Sequence, residues 1–345
     1  MSKPGIAILK LKLKKEDDRT VARLFLVLIG VSILMSALKP GLFLKGNNFI
    51  SMATQFPEYG LMAIGISLTM ISGGIDLAVV GTANLSAIIA AKYLIATVPR
   101  GTPADQALGP ILLAIALALL VGLAAGGVSG VLIAGFKIPA ILATLGTQQL
   151  FTGFAIVLTD GKPLSRLPAL YSKIGNKELF GFLPVPFLLY AAAAAAVGFT
   201  LTRTVFGLKL FLVGTNAKAA LYAGIENKII LIKTYMFSGL LSSLAGLIMM
   251  ARANSAKADY GAVYTLQCVL IAVLGGVDPN GGFGTIRGVT LAVLILQFLS
   301  SGLNMFDHIS NFYRDVIWGG VLILALIVNW IIARRNEKVR PRLTG

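Results

Sequence analysis

The chain has 345 residues, of which 57% are hydrophobic and only 13% are charged, whereas soluble domains carry roughly 25% charged residues. Continuous apolar runs fill most of it, which excludes a soluble globular protein and the short alternating strands of a transmembrane β-barrel. The formal charge of +16 needs no nucleic-acid partner, because basic residues collect in the cytoplasmic loops of membrane proteins.

In chain order, the apolar runs predict an all-α polytopic membrane protein with about ten transmembrane helices. The segments are 24–38, 59–72, 77–96, 109–134, 138–158, 185–202, 234–251, 264–277, 288–304 and 315–333. A full crossing needs about 20 residues. The second and eighth segments have about 14 each, so they are candidates for broken or re-entrant helices, which are tolerated inside membrane proteins.

The basic residues predict how the chain is oriented. It divides into a basic N-terminus at 1–23, one membrane domain at 24–333 with an inside loop at 203–233, and a basic tail at 334–345. With the N-terminus inside, 19 of the Lys and Arg residues fall on the inner side and 11 on the outer side. Cytoplasmic loops carry the excess of Lys and Arg. We therefore predict that both termini are cytoplasmic.

Two similar stretches interrupt the apolar sequence, "SGGIDLAVVGT" at 72–82 and "LGGVDPNGGFGT" at 274–285. The repeated residues are Gly73, Gly74, Asp76, Gly275, Gly276 and Asp278. Each stretch follows a short apolar segment and precedes a new run, which predicts a helix break in each of two related halves, arranged as a parallel or an inverted repeat. Each aspartate either caps the following helix or serves as an intramembrane ion or proton site.

The inside stretch "RTVFGLKLFLVGTNAKAALYAGIENKIILIKTY" at 203–235 predicts a turn at 214–216 and then a short helix at 217–222. Gly224 stands where a glycine commonly ends a helix. The stretch is either an ordinary basic cytoplasmic loop or a docking helix that transmits motion from a soluble partner.

Several neutral polar side chains lie inside the predicted spans. They are Asn84, Thr144, Thr147, Gln148, Gln149, Thr152, Gln267 and Asn304. Their donors and acceptors suit a path for a neutral polyhydroxylated solute. The alternative is hydrogen bonding between neighbouring helices.

Motifs for catalysis are missing from the sequence. It contains no G-x-x-x-x-G-K-[ST] phosphate loop and no paired-carboxylate or nucleophile–base pattern. One cysteine, Cys268, and one histidine, His308, make no metal site. We therefore predict that the chain is not an enzyme and holds no cofactor of its own.

Four stretches in order carry a resemblance to a known family. They are "SGGIDLAVVGT", "IPAILATLGTQQLFTGFAIVLTDGKPLS", "FGLKLFLVGTNAKAALYAGI" and "VLGGVDPNGGFGTIRG". Over about residues 50–330 the chain resembles the permease subunit of bacterial ABC importers of ribose, related simple sugars and autoinducer-2. The resemblance implies inward transport of a ribose-like solute across the bacterial inner membrane. The alternatives are an autoinducer-2 or nucleoside importer, and an ion-coupled secondary transporter.

The resemblance also implies partners. These are a second permease chain, identical or different, a cytoplasmic ATPase with two fused nucleotide-binding domains that binds ATP and Mg, an extracytoplasmic solute-binding protein, and membrane lipid. The family's ATPase-contact segment matches a set of residues in the inside loop and at its edge. They are Arg203, Gly207, Gly214, Asn216, Ala219, Ala220 and Gly224.

Overall fold

The computed structural model describes residues 3–99, 101–306 and the positions 316, 319, 320, 323 and 327. Apart from these positions, the predicted last span at 315–333 lies outside the described residues, as do His308 and the tail at 334–345.

The described chain is predominantly helical. The helices are α1 (Lys3–Leu38), α2 (Pro40–Phe43), α3 (Gly46–Ile71), α4 (Val79–Thr97), α5 (Ala104–Ala134), α6 (Ala140–Thr159), α7 (Ala169–Asn176), α8 (Val185–Arg203), α9 (Val205–Thr215), α10 (Ala217–Tyr222), α11 (Asn227–Ala253), α12 (Tyr264–Leu274) and α13 (Ile286–Leu303). The strands are β1 (Leu164–Ser165), β2 (Glu178–Leu179), β3 (Leu183–Pro184) and β4 (Ser255–Ala256). Strand β1 pairs antiparallel with β4, and β2 with β3. The predicted all-α class is confirmed.

Seven of the described helices are long and apolar enough to cross a membrane: α1 from Asp18 onward, α4, α5, α6, α8, α11 and α13. The predicted short eighth segment is confirmed, since α12 has 11 residues. The predicted short second segment is wrong, because α3 has 26 residues. The predicted segment starts at residue 59, directly after Pro57 and Glu58. Both lie inside the helix and are buried, and the Glu58 carboxylate pairs with Arg252.

Helices α3 and α11 form the centre of the fold. Every residue of α3 from Phe56 to Ile71 is buried. Helix α5 lies unusually close to α11 because glycines recur every fourth residue along one of its faces, at Gly122, Gly126 and Gly130. A Cβ atom at Gly126 would meet the backbone of Tyr235. Small residues of this kind let membrane helices approach closely.

The two helix–break–helix units, α3–α4 and α12–α13, run in the same direction. At one end, the Cys268 thiol of α12 donates to the Tyr59 carbonyl of α3. At the other end, the chain that follows α12 donates from Gly282 N–H to the Ile71 carbonyl of α3 at 2.9 Å. Helices α3 and α12 are therefore parallel to each other. Helix α13 returns antiparallel, since its Gln297 accepts from the Tyr59 hydroxyl. This favours the parallel repeat for these two units.

Candidate functional site

The first break separates α3 from α4 at residues 72–78. Gly73 has φ +89° and ends α3, while Gly74 N–H donates back to the Thr69 carbonyl at 3.0 Å, the pattern of a Schellman turn. Asp76 is buried. Its Oδ1 accepts from Ala78 N–H at 3.0 Å and its Oδ2 from the Ser238 hydroxyl at 2.7 Å. Asp76 therefore ties the break to α11.

This geometry differs from the predicted helix cap. The N-cap residue of α4 is Ala78, which has no capping side chain. Asp76 lies two positions before the cap. Its side chain accepts a hydrogen bond from the backbone N–H of Ala78, as an aspartate does in a short turn. The sequence pattern suggested a cap because the apolar run resumes directly after Asp76, but the first two of those residues, Leu77 and Ala78, are not yet helical.

The second break, at residues 275–285, has a different register. Here Gly276, not Gly275, has the positive φ of +83°, and Val277 N–H donates to the Ala272 carbonyl at 3.0 Å. Aligning the helix ends therefore matches Gly73 with Gly276, a spacing of 203 rather than the 202 that separates the two aspartates. The two sequence echoes are structurally offset by one residue.

Asp278 consequently has a different environment from Asp76. It is exposed, and its Oδ1 accepts from Asn280 N–H at 2.8 Å. It does not cap α13, which begins eight residues later; the Thr285 hydroxyl does so by accepting from Gly288 N–H at 3.3 Å. The glycine-rich insertion "PNGGFG" accounts for the separation, because it forms a loop between the aspartate and the helix.

The two breaks and α9 meet at one glycine junction, formed by Gly73, Gly214, Gly281 and Gly282. A Cβ at Gly281 would lie 2.8 Å from Gly73 Cα. A Cβ at Gly214 would meet both the Ile71 carbonyl and Gly282 N. Gly214 lies inside α9, so the predicted turn at 214–216 is wrong except for Asn216. Glycine is needed at position 214 for close approach, not for a turn.

Helix α10 leaves this junction as predicted, at Ala217–Tyr222. Asn216 is its N-cap, and its Oδ1 accepts from Ala219 N–H at 3.0 Å. Gly224 follows the helix with φ +76°. Ala220 is buried, whereas Tyr222 is 91% exposed. The helix therefore presents a free face at the end of the fold that holds both breaks, which we call the break end.

The other two residues of the predicted ATPase-contact segment lie just before α10 in the chain. Arg203 is exposed and closes α8. Gly207 is buried in the first turn of α9, where a Cβ would meet the backbone of Leu201. The close α8–α9 corner therefore depends on glycine, and it positions α9 against the junction.

The polar residues predicted on α6 mostly face its neighbours. Thr144 donates to the Ile75 carbonyl at 3.0 Å, and Thr147 shares a 3.0 Å hydrogen bond with the Ser129 hydroxyl. Gln148 accepts from Gly81 N–H at 2.8 Å. Its amide also lies 3.5 Å from the Thr152 hydroxyl, whereas Gln149 is exposed. Together, these contacts attach α6 to the first break and to the start of α4.

The remaining predicted polar residues lie apart from α6. Asn84 donates to the carbonyls of Ala258 and Tyr260, each at 2.9 Å, and so holds the non-helical chain between α11 and α12 against α4. Gln267 is buried on α12, and Asn304 is the exposed C-cap of α13. The structure therefore does not gather all the predicted polar residues around one site.

A polar cavity of about 500 Å³ opens at the opposite end of the fold, which we call the cavity end. It is lined by α3 at residues 47–55, by the 176–181 segment and by Arg252. Below it, Arg252 forms a forked ion pair with the buried Glu58, with Nε–Oε1 at 2.5 Å and Nη2–Oε2 at 3.0 Å. Sequence reasoning missed this pair, because the two residues are 194 positions apart and each was placed near a loop.

A family model described as "Branched-chain amino acid transport system / permease component" matches residues 48–326. The chain belongs to this permease family. The permease is 34% identical over 306 residues to the ribose import permease protein RbsC of Bacillus subtilis strain 168, covering 88% of this chain and 91% of that protein. It is 33% identical over 312 residues to RbsC of Escherichia coli strain K12, covering 88% and 91%.

The permease is also 30% identical over 329 residues to the autoinducer 2 import system permease protein LsrD of Photorhabdus luminescens, covering 90% of this chain and 95% of that protein. No solved structure gives a significant match to it. The resemblance drawn from the four sequence stretches is confirmed at the level of the family. A family of transport subunits also agrees with the prediction that the chain is not an enzyme.

Proposed function

We propose that the permease is the membrane subunit of an ABC importer that moves a ribose-like, neutral polyhydroxylated solute into the bacterial cell. The observation that carries the proposal is similarity to ribose import permeases over nearly nine tenths of the chain. The polar cavity at one end and the exposed helix α10 at the other support it. An importer needs a solute entrance on the outer side of the membrane and a contact surface for its ATPase on the inner side.

In this proposal both termini and the break end face the cytoplasm. The excess of Lys and Arg in the predicted inside segments supports this orientation. Helix α11 runs from α10 to Arg252 with 27 residues, or about 40 Å of helix, which is long enough to separate the two membrane surfaces. The cavity end then faces outward, where a solute-binding protein delivers the solute.

The partners of the permease are a second permease chain and a cytoplasmic ATPase that binds ATP and Mg. The ATPase docks on α10 and on the predicted contact residues around it. Its nucleotide states favour different conformations of the permease, and such differential binding is what lets ATP hydrolysis shift a conformational equilibrium. The glycine junction supports this role, because α9 contacts both breaks there.

Import of autoinducer-2 is the second candidate, favoured by the similarity to LsrD. A nucleoside is also polyhydroxylated and fits the same chemistry. An ion-coupled mechanism is less well supported, because Asp76 already accepts from Ala78 and Ser238 and Asp278 is exposed outside any helix.

Reconstitution in proteoliposomes with the ATPase and binding protein expected to be encoded beside the permease tests the function. Labelled ribose, autoinducer-2 and a nucleoside are supplied with ATP, with a non-hydrolysable analogue, or with an ion gradient alone. We expect ribose uptake that requires ATP hydrolysis. Uptake that continues without the ATPase, or that follows the ion gradient, would contradict the proposal.

A further inference from the structure

The Glu58–Arg252 pair leaves part of the guanidinium available to the cavity. An arginine has five N–H donors, and the fork to Glu58 uses two of them. Arg252 makes no other hydrogen bond to the residues that the structure describes. Its side chain is 35% exposed and lines the cavity, whereas the Glu58 side chain is only 2% exposed. Arg252 therefore presents donors to whatever occupies the cavity.

Glu58 holds Arg252 in this orientation. Its two carboxylate oxygens accept the two parallel N–H groups, and the Tyr264 hydroxyl lies 3.4 Å from Oε2. A bidentate pair fixes the plane of the guanidinium as well as its position. Glu58 neutralises the charge of Arg252, and the lining also holds the exposed carboxylate of Glu178. The cavity therefore does not favour an anionic occupant.

The α3 wall of the same cavity supplies oxygen acceptors. The Gln55 amide nitrogen donates to the Ser51 hydroxyl at 2.8 Å, and Gln55 Oε1 makes no hydrogen bond to the described residues. The Thr54 hydroxyl donates to the Ile50 carbonyl at 2.9 Å, which leaves its oxygen free to accept. A sugar hydroxyl both donates and accepts, so it is suited to a space between these acceptors and Arg252.

We propose that Arg252, Thr54 and Gln55 form a solute-binding subsite within the permease that recognises adjacent hydroxyl groups of a neutral sugar. Glu58 is the positioning residue for Arg252. The inference rests on the proposed function and deepens it, by placing a point of recognition in the permease itself. The cavity volume of about 500 Å³ lies within the range of roughly 300–1,000 Å³ that small-molecule sites show.

Thiol labelling of the full-length permease in lipid nanodiscs tests the subsite without a binding protein. The native Cys268 is fully buried, so a Ser51→Cys variant reports on the cavity with little background. We expect ribose to slow its labelling by a water-soluble thiol reagent severalfold. The matched control is Asp259→Cys, on the exposed loop after α11, whose labelling ribose should leave unchanged. Equal labelling of Ser51→Cys with and without ribose would overturn the proposal.

Arg252→Lys in the Ser51→Cys background tests the guanidinium. The lysine keeps a positive charge opposite Glu58 but cannot form the fork and present further donors together. Hydrogen bonds to charged groups are strong enough that we expect the ribose concentration for half-protection to rise roughly tenfold or more. Unchanged half-protection would refute the role of Arg252.

The double variant Glu58→Gln/Arg252→Gln tests whether folding alone explains the result, since two amides can pair without leaving a buried charge. It should elute as wild type in size exclusion and still lose ribose protection. The control is Lys257→Gln/Asp259→Asn, which removes an exposed ion pair. Such pairs contribute little to stability, so this variant should still be protected from labelling by ribose. Retained protection in the Glu58/Arg252 double variant would overturn the subsite. Failure of the proposed function is distinct, because the wild-type proteoliposomes would then show no ATP-dependent uptake of ribose.

Discussion

Replacing Asp76 separates its two predicted roles, because alanine and asparagine affect them differently. In Asp76→Ala, the N–H of Ala78 and the hydroxyl of Ser238 both lose an acceptor within the core. A buried polar group left without a partner costs about 1–3 kcal/mol. The Ser238 hydroxyl can turn to a carbonyl of its own helix, so we expect a total loss of about 2–4 kcal/mol of stability.

Asp76→Asn keeps the geometry. Its amide oxygen can still accept from Ala78 N–H, and its nitrogen can donate to the Ser238 oxygen. Only the charge is lost, so the expected loss is about 1 kcal/mol, the usual net contribution of one hydrogen bond. If Asp76 has the structural role, uptake should therefore survive in Asp76→Asn and fail in Asp76→Ala.

The assay combines thermal unfolding of the detergent-purified permease with ATP-dependent uptake in proteoliposomes. Asp76→Ala should unfold at a clearly lower temperature than Asp76→Asn. The structural argument would be refuted if Asp76→Asn had wild-type stability and abolished uptake, because that pattern identifies a charge needed for coupling. An unchanged unfolding temperature for Asp76→Ala would refute the hydrogen-bonding argument itself.

Three further substitutions test the glycine junction, the cap of α10 and the contact between α5 and α11. Gly214→Ala should uncouple ATP hydrolysis from uptake, since its Cβ would displace backbone atoms at the junction. The control is Gly146→Ala, whose new Cβ has no atom within 4 Å. It should behave as wild type in the same ATPase and uptake assays. Asn216→Ala removes the cap of α10 at a cost of about 1 kcal/mol, which should weaken ATPase co-purification without changing the yield of folded permease. Gly126→Leu should reduce that yield in fluorescence-detected size exclusion because α5 and α11 could no longer touch, while Gly153→Leu on an open face of α6 should not.

Composition and local signals were sufficient for the class of protein and for most of the helices. Helix α10 was predicted to the residue, because a predicted turn precedes it and Gly224 stands where a glycine commonly ends a helix. The structure adds that Asn216 is its N-cap. Each predicted break lies where a helix ends at a positive-φ glycine. These features depend on neighbours in the sequence, so a single chain contains the information needed.

Features that depend on distant contacts were missed. The polar start of α3 resembles a loop in the sequence. Glu58 can be buried inside this helix because Arg252 pairs with it, and a buried carboxylate is tolerated only with such a partner. Gly214 resembles a turn residue in the sequence, but it is needed because the carbonyl of Ile71 lies where its Cβ would be. Asp76 is buried and receives a hydrogen bond from Ser238 of α11, whereas Asp278 is exposed. None of these partners is marked by local sequence.

The longer loop of the second break provides a route by which motion at α10 would reach the cavity. Because the second loop extends beyond its aspartate, Gly282 reaches across to the carbonyl of Ile71, the last residue of α3. Helix α3 continues from that bond to Glu58, which is 13 residues away in the sequence, or about 20 Å along a helix. A displacement of α9 at Gly214 therefore acts directly on the end of the helix that positions Arg252. A second break as short as the first would have no room for the loop between Asp278 and α13 that makes this connection.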